Sequence, residues 1–418
     1  MAGPVTMAVL GAGARGSVFA GFAERFPGRA SVVAVADPRT DRREALAEGL
    51  GVAADRRLGD WRELAARERL ADAVIVTTPD REHAEAAIRF AGLGYHVLLE
   101  KPIAPTWAEC VDVVDAVEKA GVILAVCHVM RYTAYTEAVK QVVAEGRLGQ
   151  IVGAEHLEPV GWWHFAHSYV RGNWRRADQA GPSLLTKCCH DLDWLRYVVG
   201  RPAVAVSSRG GLRHFTAANR PSGAADRCLD CAVEPDCPYS ATRLYLGFLD
   251  DPKRKRWPLS VVTTDLTERG VRRALREGPY GRCVYACDND VADHQVVTIE
   301  FDGGVTATLT MSAFTPFGRR RTRIMGARGF LEGDGRQVAV TDFVTGRTEP
   351  AAVDGQRVDA GGGHGGGDFG VIGAFVDAVA SGDPSLICTG PRESLDSHLM
   401  AFAAERSRLT GAPVPLTG

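Results

Sequence analysis

The chain up to about Val126 alternates short apolar runs with longer amphipathic stretches, as strands and helices alternate in a parallel sheet. Thr106 can cap the last helix-like stretch. We therefore expect a doubly wound α/β sheet of βαβ units, with ligands at the carboxyl ends of its strands. The predicted strands are Thr6–Leu10, Ser31–Ala36, Ala73–Thr77, His96–Leu99 and Val122–Val126, and the predicted helices are Val18–Phe26, Arg42–Leu50, Glu82–Leu93 and Thr106–Ala120.

Beyond a helix-like stretch near Thr136–Glu145, the pattern changes to polar and apolar residues in alternation. This pattern predicts an α+β domain whose antiparallel or mixed sheet has one wet face. We place the boundary so that residues 1–130 and 131–418 form two domains. The glycine-rich stretch Gly361–Gly367 fits either a tether or a loop that folds over a ligand. The predicted strands are Ile151–Leu157, Ala203–Ser207, Gln295–Phe301 and Val305–Ser312, and helices are expected at Ser183–Val199, Phe369–Ala380 and Glu393–Leu409.

Composition narrows the possible partners. The chain has 418 residues and a formal charge of −2 from 49 basic and 51 acidic side chains. Its length favours two domains, and its balanced charge gives no attraction to nucleic acid or to an anionic membrane. No uncharged apolar run reaches about 18 residues, so we expect no membrane-spanning helix. The start lacks a basic leader, so we expect a cytoplasmic protein with reduced cysteines and a small soluble ligand.

The most informative local pattern is a glycine loop directly after the first predicted strand. It comprises Gly11, Gly13 and Gly16, with Ala14 and Arg15 between the last two. The first glycine permits a tight turn, the second lets backbone N–H groups approach a pyrophosphate, and the third lets the helix pack closely on the strand. The pattern predicts a dinucleotide site, whereas a simple glycine turn is the alternative.

Asp37 ends the second predicted strand, about twenty residues beyond the loop. A carboxylate there accepts hydrogen bonds from ribose hydroxyls and repels a 2′-phosphate, which favours NAD over NADP. Arg39, Arg42 and Arg43 complicate this choice, because an arginine beyond the second strand can hold that phosphate.

Several motifs together resemble the Gfo/Idh/MocA oxidoreductases. They are Glu100-Lys101-Pro102 after the strand His96–Leu99, Thr78-Pro79 after the strand before it, the Arg147–Ile151 turn, and His190 to Asp193 within Ser183–Val199. The resemblance implies a Rossmann domain followed by an open-faced mixed sheet, a nicotinamide cofactor, a sugar or related substrate, and a homodimer or homotetramer. It places cofactor contacts at the glycine loop, Asp37, Thr78, Pro79, His83, Glu100 and Lys101.

Two residues are expected to act on the substrate. Lys101 follows a parallel strand into the crevice, where its ammonium can hydrogen-bond a substrate hydroxyl and stabilise a developing alkoxide. Pro102 is a candidate cis proline. His190 matches the family's catalytic histidine and can act as general base. The alternatives are a surface lysine before a turn and a structural histidine on a helix.

The chain departs from the family four residues before His190. Many members carry an aspartate there, but this chain has Thr186 followed by Lys187. Threonine cannot replace a carboxylate as an acid or base. Cationic neighbours and partial burial favour a neutral amine at Lys187, so we expect it to be a second proton-transfer residue. The alternative is a solvated lysine on the helix flank.

An upstream segment is dense in aromatic side chains and hydrogen-bond donors. Aromatic faces stack on sugar C–H surfaces, and arginines bind carboxylates, sulfonates or phosphates. The segment therefore predicts a polar and possibly anionic ligand, although a rim loop or an oligomer contact fits as well. The candidate substrate residues are His164, His167, Arg171, Trp174 and Arg175.

An apparent insert at about residues 208–285 carries Cys228, Cys231 and Cys237. Two cysteines three positions apart form a common half-site, so a structural zinc ion is a tentative expectation. Cys283, Cys287 or His214 can complete the set. Packed thiols and a disulfide are the alternatives.

We expect an NAD-dependent oxidoreductase that acts on a secondary hydroxyl of a sugar or sugar derivative. The alternative is a glycosidase that oxidises C3 transiently, eliminates the aglycone, adds water and recovers its NAD. The arginine-rich segment would favour an anionic sulfo- or uronosyl glycoside in that case. A dinucleotide-binding sensor without catalysis is the third possibility.

Overall fold

Two β-sheets organise the protein, and the computed structural model describes residues 3–353 and 364–416. The glycine-rich stretch Gly361–Gly367 lies partly outside the described residues. In chain order the strands are β1 (Val5–Leu10), β2 (Ala30–Ala36), β3 (Arg57–Leu58), β4 (Ala73–Val76), β5 (His96–Leu99), β6 (Leu124–Val126), β7 (Ile151–Pro159), β8 (Ala203–Gly211), β9 (His294–Phe301), β10 (Thr306–Ser312), β11 (Arg321–Gly326), β12 (Gly329–Gly333), β13 (Val338–Asp342), β14 (Thr348–Ala351) and β15 (Val414–Pro415).

Helices cover both faces of the first sheet and one face of the second. The helix at Ser183–Val199 lies within its predicted bounds, and the predicted cap at Thr106 is present, since its Oγ1 accepts the Glu109 N–H at 3.3 Å. The α-helices are α1 (Ala14–Arg25), α2 (Thr40–Gly49), α3 (Trp61–Ala65), α4 (His83–Gly92), α5 (Trp107–Ala120), α6 (Ala134–Ala144), α7 (Trp162–Phe165), α8 (Ala177–Ala180), α9 (Ser183–Val199), α10 (Ala241–Gly247), α11 (Pro252–Arg254), α12 (Ser260–Val262), α13 (Glu268–Glu277), α14 (Gly367–Ser381) and α15 (Pro391–Thr410).

The first sheet is parallel, in the order β3-β2-β1-β4-β5-β6. Strand β4 is buried at every position because helices pack on both of its faces. The doubly wound α/β fold is thus confirmed. The short strand β3 escaped prediction because two residues carry no alternation pattern.

The second sheet has nine strands in the order β14-β13-β12-β11-β7-β10-β9-β8-β15. Strands β7 and β10 pair in parallel, and the other pairs are antiparallel, which confirms the mixed, largely antiparallel sheet. Strand β7 runs two residues beyond its predicted end at Leu157. The domain boundary near residue 130 and the homo-oligomer stay predictions.

Later parts of the chain add to the core of the first sheet and form a further small core. Helix α14 packs on the Rossmann core through Val371, Ile372 and Phe375. The insert adds a small core of its own that includes Tyr245 and Leu275.

Within the described residues, no helix combines the length and the apolar character needed to cross a membrane.

A buried ion pair fastens the end of the first sheet to the second half of the chain. Arg131, shortly after β6, donates to Asp193 on α9, with Nε–Oδ2 at 2.7 Å and Nη2–Oδ1 at 2.6 Å. Ser397 on α15 also donates to Asp193 Oδ1, at 2.7 Å. Both charged side chains are almost fully buried, so each depends on the other for its counter-charge.

We predict that Asp193→Asn lowers the free energy of unfolding by about 3–5 kcal/mol, because it leaves the buried Arg131 cation without a partner. Arg392→Gln is the matched control, since Arg392 forms an exposed pair with Glu118. That control should cost far less in urea titration, because solvent screens an exposed ion pair. Equal losses for the two variants would contradict the role assigned to Asp193.

Candidate active site

The glycine loop after β1 is built for close backbone approach. Gly11 has φ +97°, and a Cβ there would lie 2.5 Å from the Thr77 carbonyl oxygen. A Cβ on Gly16 would lie 2.0 Å from the Gly11 carbonyl oxygen. Gly13 differs, since the nearest atoms to a Cβ there are guanidinium nitrogens of Arg39 and Arg42, both at 3.9 Å. The first and third glycines are therefore required by the fold, whereas the space at Gly13 remains open for a ligand. This loop fits a dinucleotide.

Asp37 lies at the carboxyl end of β2 and is buried. Its Oδ2 accepts the Ala12 N–H at 2.8 Å, and its Oδ1 accepts the Arg39 N–H at 2.8 Å. The carboxylate thus shapes the glycine loop while it stands at the position expected for a ribose contact. Burial and the neighbouring Arg39 lower the pKa of Arg42, so two closely spaced cations lie beside this loop.

Arg15 joins three segments at the loop. Its guanidinium pairs with Glu100 after β5 and, at 2.8 Å, with Asp368 on α14. Burial alone would lower the pKa of Arg15, but Glu100 and Asp368 outweigh it and raise the pKa. Two carboxylates already engage this predicted cofactor residue, which makes it a structural link as well as part of the cleft wall.

Lys101 bridges the two halves of the protein. Its Nζ donates to the Thr186 carbonyl oxygen on α9 at 2.6 Å, and its backbone N–H donates to Glu100 Oε2 at 2.8 Å. The Lys101–Pro102 peptide is cis. His83 supports this turn, with Nδ1 2.7 Å from the Pro102 carbonyl oxygen and Nε2 3.0 Å from that of Thr78. His83 therefore acts through the chain that carries Lys101.

His190 lies one helical turn after Thr186 on α9 and lines the same cleft as Lys101. Its ring centroid is 5.8 Å from that of His128, which follows β6. Lys101 and His190 thus border the same cleft, and Lys101 contacts the helix that carries His190 through the Thr186 carbonyl. Their catalytic roles stay predictions. Thr78, Pro79, Ala14 and the glycine loop line the same cleft.

Lys187 belongs to a chain of charges that sequence analysis missed. Its Nζ lies 3.4 Å from Glu158 Oε1, and Glu158 Oε2 lies 2.9 Å from Arg320 Nη2. Arg320 also donates to Asp191, which accepts from His156 at 2.9 Å. Burial alone would raise the pKa of Asp191, but Arg320 and His156 hold it well below its usual range. Lys187 therefore has a carboxylate partner as well as cationic neighbours.

A second missed residue is Asp80, directly after Thr78-Pro79. Its Oδ2 accepts the indole N–H of Trp174 at 2.8 Å, so the two halves of the chain meet here. Burial raises the pKa of Asp80, although His83 and Lys101 oppose the shift. Its place next to a recognised motif was a usable sequence signal, but an acidic residue after proline usually indicates only a turn.

Three of the five predicted substrate residues have aromatic rings that line the cleft. His164 and Trp174 line the cleft, and His164 contacts Trp257 of the insert at a centroid distance of 5.0 Å. His167 also lines the cleft, but its Nδ1 is engaged by the Tyr245 hydroxyl at 2.7 Å.

The two arginine candidates already have partners. Arg175 pairs with Asp288 at 2.9 Å. Arg171 does not reach the cleft and instead enters the insert, where its Nε and Nη2 donate to the carbonyl oxygens of Arg282 and Tyr239. These two side chains therefore give little support to the expected anionic ligand.

The structure does not support the tentative zinc site at Cys228, Cys231 and Cys237. Among the described residues, no group of three or more His, Cys, Asp or Glu side chains is arranged to hold a metal ion. Cys287 and His214 lie outside the cavity that these three cysteines line. All ten cysteines are free of disulfides.

Comparison with known proteins identifies both halves of the chain. Residues 5–128 match the model of an oxidoreductase family with an NAD-binding Rossmann fold, and residues 140–416 match that family's C-terminal alpha/beta domain. An oxidoreductase from Agrobacterium radiobacter, solved with NAD+, L-tartaric acid and magnesium, superposes with a TM-score of 0.70 at 16% identity over 98% of each chain.

Curated relatives match over shorter stretches. The 2,7-anhydro-N-acetylneuraminate hydratase of Escherichia coli is 32% identical over 34% of this chain and 37% of its own length. The D-glucoside 3-dehydrogenase of Escherichia coli is 30% identical over 41% of this chain and 48% of its own. Each alignment thus spans less than half of the relative.

We predict that Gly13→Ala weakens NAD binding at least about tenfold while the melting temperature stays within a few degrees, because a methyl there meets no protein atom closer than 3.9 Å but would obstruct the pyrophosphate. Gly16→Ala is the matched control in the same loop. Its new methyl would strike the Gly11 carbonyl, so it should destabilise the fold itself. Fluorescence titration and thermal melts measure the two effects, and unchanged NAD affinity in Gly13→Ala would contradict the cofactor assignment.

We expect the buried histidines to make the stability of the folded protein depend on pH. Burial lowers the pKa of His128 to about 4 and that of His167 and His398 to about 3. Histidines of the unfolded chain titrate near 6.5, so the unfolded state takes up more protons as the pH falls below that value. We expect the melting temperature to drop between about pH 7.5 and pH 5.

His128→Leu should make that drop shallower, because it removes one such histidine. His294→Gln is the control, since His294 is only half-buried and should leave the drop as it is in the unmodified protein. A melting temperature that does not change over this pH range would contradict the account.

Proposed function

Because the chain belongs to the Gfo/Idh/MocA family of oxidoreductases, we propose that it oxidises a secondary hydroxyl of a sugar or sugar derivative with NAD. The observation that carries this proposal is the hydrogen bond from Lys101 Nζ to the Thr186 carbonyl, at 2.6 Å. It holds an ammonium group one helical turn from His190, in the cleft that the glycine loop also lines.

In this proposal Lys101 and His190 have different roles at the substrate hydroxyl. The Lys101 ammonium donates a hydrogen bond to the hydroxyl oxygen and stabilises negative charge as it develops there. The imidazole of His190 takes the hydroxyl proton. Bound NAD supplies the hydride acceptor.

Supporting groups hold this arrangement in place. Glu100 fixes the backbone of Lys101, and His83 holds the turn that follows it. Asp80 and Trp174 join the two walls of the cleft beside Lys101. Because these contacts exist before substrate arrives, little reorganisation is needed for the reaction.

The cleft suits a carbohydrate. The aromatic rings of Trp174 and Trp257 line it, and such rings stack on the C–H faces of sugars. The similarity to the D-glucoside 3-dehydrogenase supports a sugar substrate. Asp37 favours NAD, because its carboxylate would repel the 2′-phosphate of NADP.

A second candidate function is a redox-neutral glycosidase or related elimination enzyme. Such chemistry requires further acid and base groups near the reacting carbons. Lys187 and Glu158, 3.4 Å apart, both line the cleft and would provide them. The similarity to the anhydro-sugar hydratase favours this candidate.

A glycoside library incubated with NAD, and read for both NADH and released aglycone, tests the proposal. Steady accumulation of NADH is expected. We predict that Lys101→Met and His190→Gln each lower turnover by about 10²–10⁴-fold, because each removes a group that acts on the hydroxyl. Lys253→Met at the cleft rim is the control and should retain turnover.

Aglycone release without net NADH, with solvent deuterium at C2, would favour the glycosidase instead. In that case Lys187→Met should abolish aglycone release. Lys101→Met and His190→Gln variants that keep normal turnover would contradict both candidate functions.

A further inference from the structure

The carboxylate of Asp37 is already engaged by neighbouring donors. Besides the backbone N–H groups of Ala12 and Arg39, it accepts from the Arg39 guanidinium, whose Nε lies 3.3 Å from Oδ1 and whose Nη2 lies 3.5 Å from Oδ2. The side chain of Asp37 is 2% exposed, whereas that of Arg39 is 51% exposed. A ligand that enters the cleft therefore meets much more of the Arg39 cation than of the Asp37 anion.

A second cation, Arg42, lies beside the same part of the glycine loop. One guanidinium nitrogen of Arg39 and one of Arg42 each lie 3.9 Å from the point that a Cβ on Gly13 would occupy. Both arginine side chains line the cleft. The two cations are thus placed so that one small anionic group beside the loop can reach both.

Arg42 has no close counter-charge. Among the described residues, no carboxylate forms an ion pair with its guanidinium, and no acceptor bonds to it. Asp37 and Asp41 attract it from a greater distance, and Asp41 is exposed to solvent, which screens its charge. Burial and the repulsion from Arg39 lower the pKa of Arg42. A bound anion would offset both effects.

The start of helix α2 adds to the positive potential at this place. The helix begins at Thr40, directly after Arg39, and no side chain caps its first turn. The backbone N–H groups and the dipole at such a helix start favour negative charge. The two arginines and the helix start together favour a phosphate more than a neutral hydroxyl group.

We propose that this chain binds NADP as well as NAD, and that Arg39 and Arg42 hold the 2′-phosphate of NADP between them. In dinucleotide-binding sheets the adenosine ribose lies beyond the end of the second strand, where an arginine can accommodate that phosphate. A guanidinium group suits this role because it donates two parallel hydrogen bonds to phosphate oxygens.

The proposal rests on the dinucleotide site of the proposed function and adds a second cofactor to it. Asp37 remains beside the ribose, so NAD is still bound. The repulsion between Asp37 and a 2′-phosphate is reduced here, because Arg39 pairs with that carboxylate.

The experiment is a fluorescence titration of the unmodified chain with NAD and with NADP, in the absence of any sugar. We expect the two dissociation constants to agree within about tenfold. Arg42→Met should weaken NADP binding at least about tenfold and NAD binding by less than about twofold, because only NADP carries the phosphate. Arg42→Lys keeps the charge and should lose less affinity for NADP. Arg67→Met is the matched control, since Arg67 is exposed and lies outside the cleft, and it should keep both affinities.

The unmodified protein decides the question even if Arg42→Met does not fold. A dissociation constant for NADP more than about tenfold above that for NAD would overturn this proposal and leave the proposed function standing. Equal losses of NAD and NADP affinity in Arg42→Met, or no loss of either, would also overturn it. A chain that binds neither dinucleotide would contradict the proposed function as well.

Discussion

The hydrogen bond between the Lys101 ammonium and the Thr186 carbonyl is the constraint on which the site depends. Lys101 follows the fifth strand of the parallel sheet, whereas Thr186 lies on the helix that supports the mixed sheet. This 2.6 Å contact joins the two halves of the cleft beside the expected reaction centre, together with the Asp80–Trp174 hydrogen bond. The backbone carbonyl of Thr186, and not its side chain, meets the lysine.

Buried charges hold this contact in register. The Arg131–Asp193 ion pair ties helix α9 to the end of the first sheet. Arg15 joins the glycine loop to Glu100, the neighbour of Lys101. Buried ions of this kind are costly without their partners, so they select one arrangement of the two sheets.

The sequence predicted those elements whose structure follows from the local residue pattern. The glycine loop, the cap at Thr106 and the helix that carries His190 follow from spacing and side-chain type alone. Strands β11 to β15 were missed because several are short and carry arginine or glycine, which weakens their alternation. Glu158 was missed because β7 runs past its predicted end, and only tertiary packing places its carboxylate beside Lys187. Arg171 was assigned to the substrate because its direction could not be inferred from its neighbours in the chain.

A crystal structure of the protein with NAD and a slowly reacting sugar tests the central claim most directly. The account predicts the dinucleotide along the glycine loop and one sugar hydroxyl oxygen within hydrogen-bonding distance of both Lys101 Nζ and the His190 ring. A sugar bound elsewhere in the cleft, with Lys101 still held by Thr186 and His190 turned away, would contradict it.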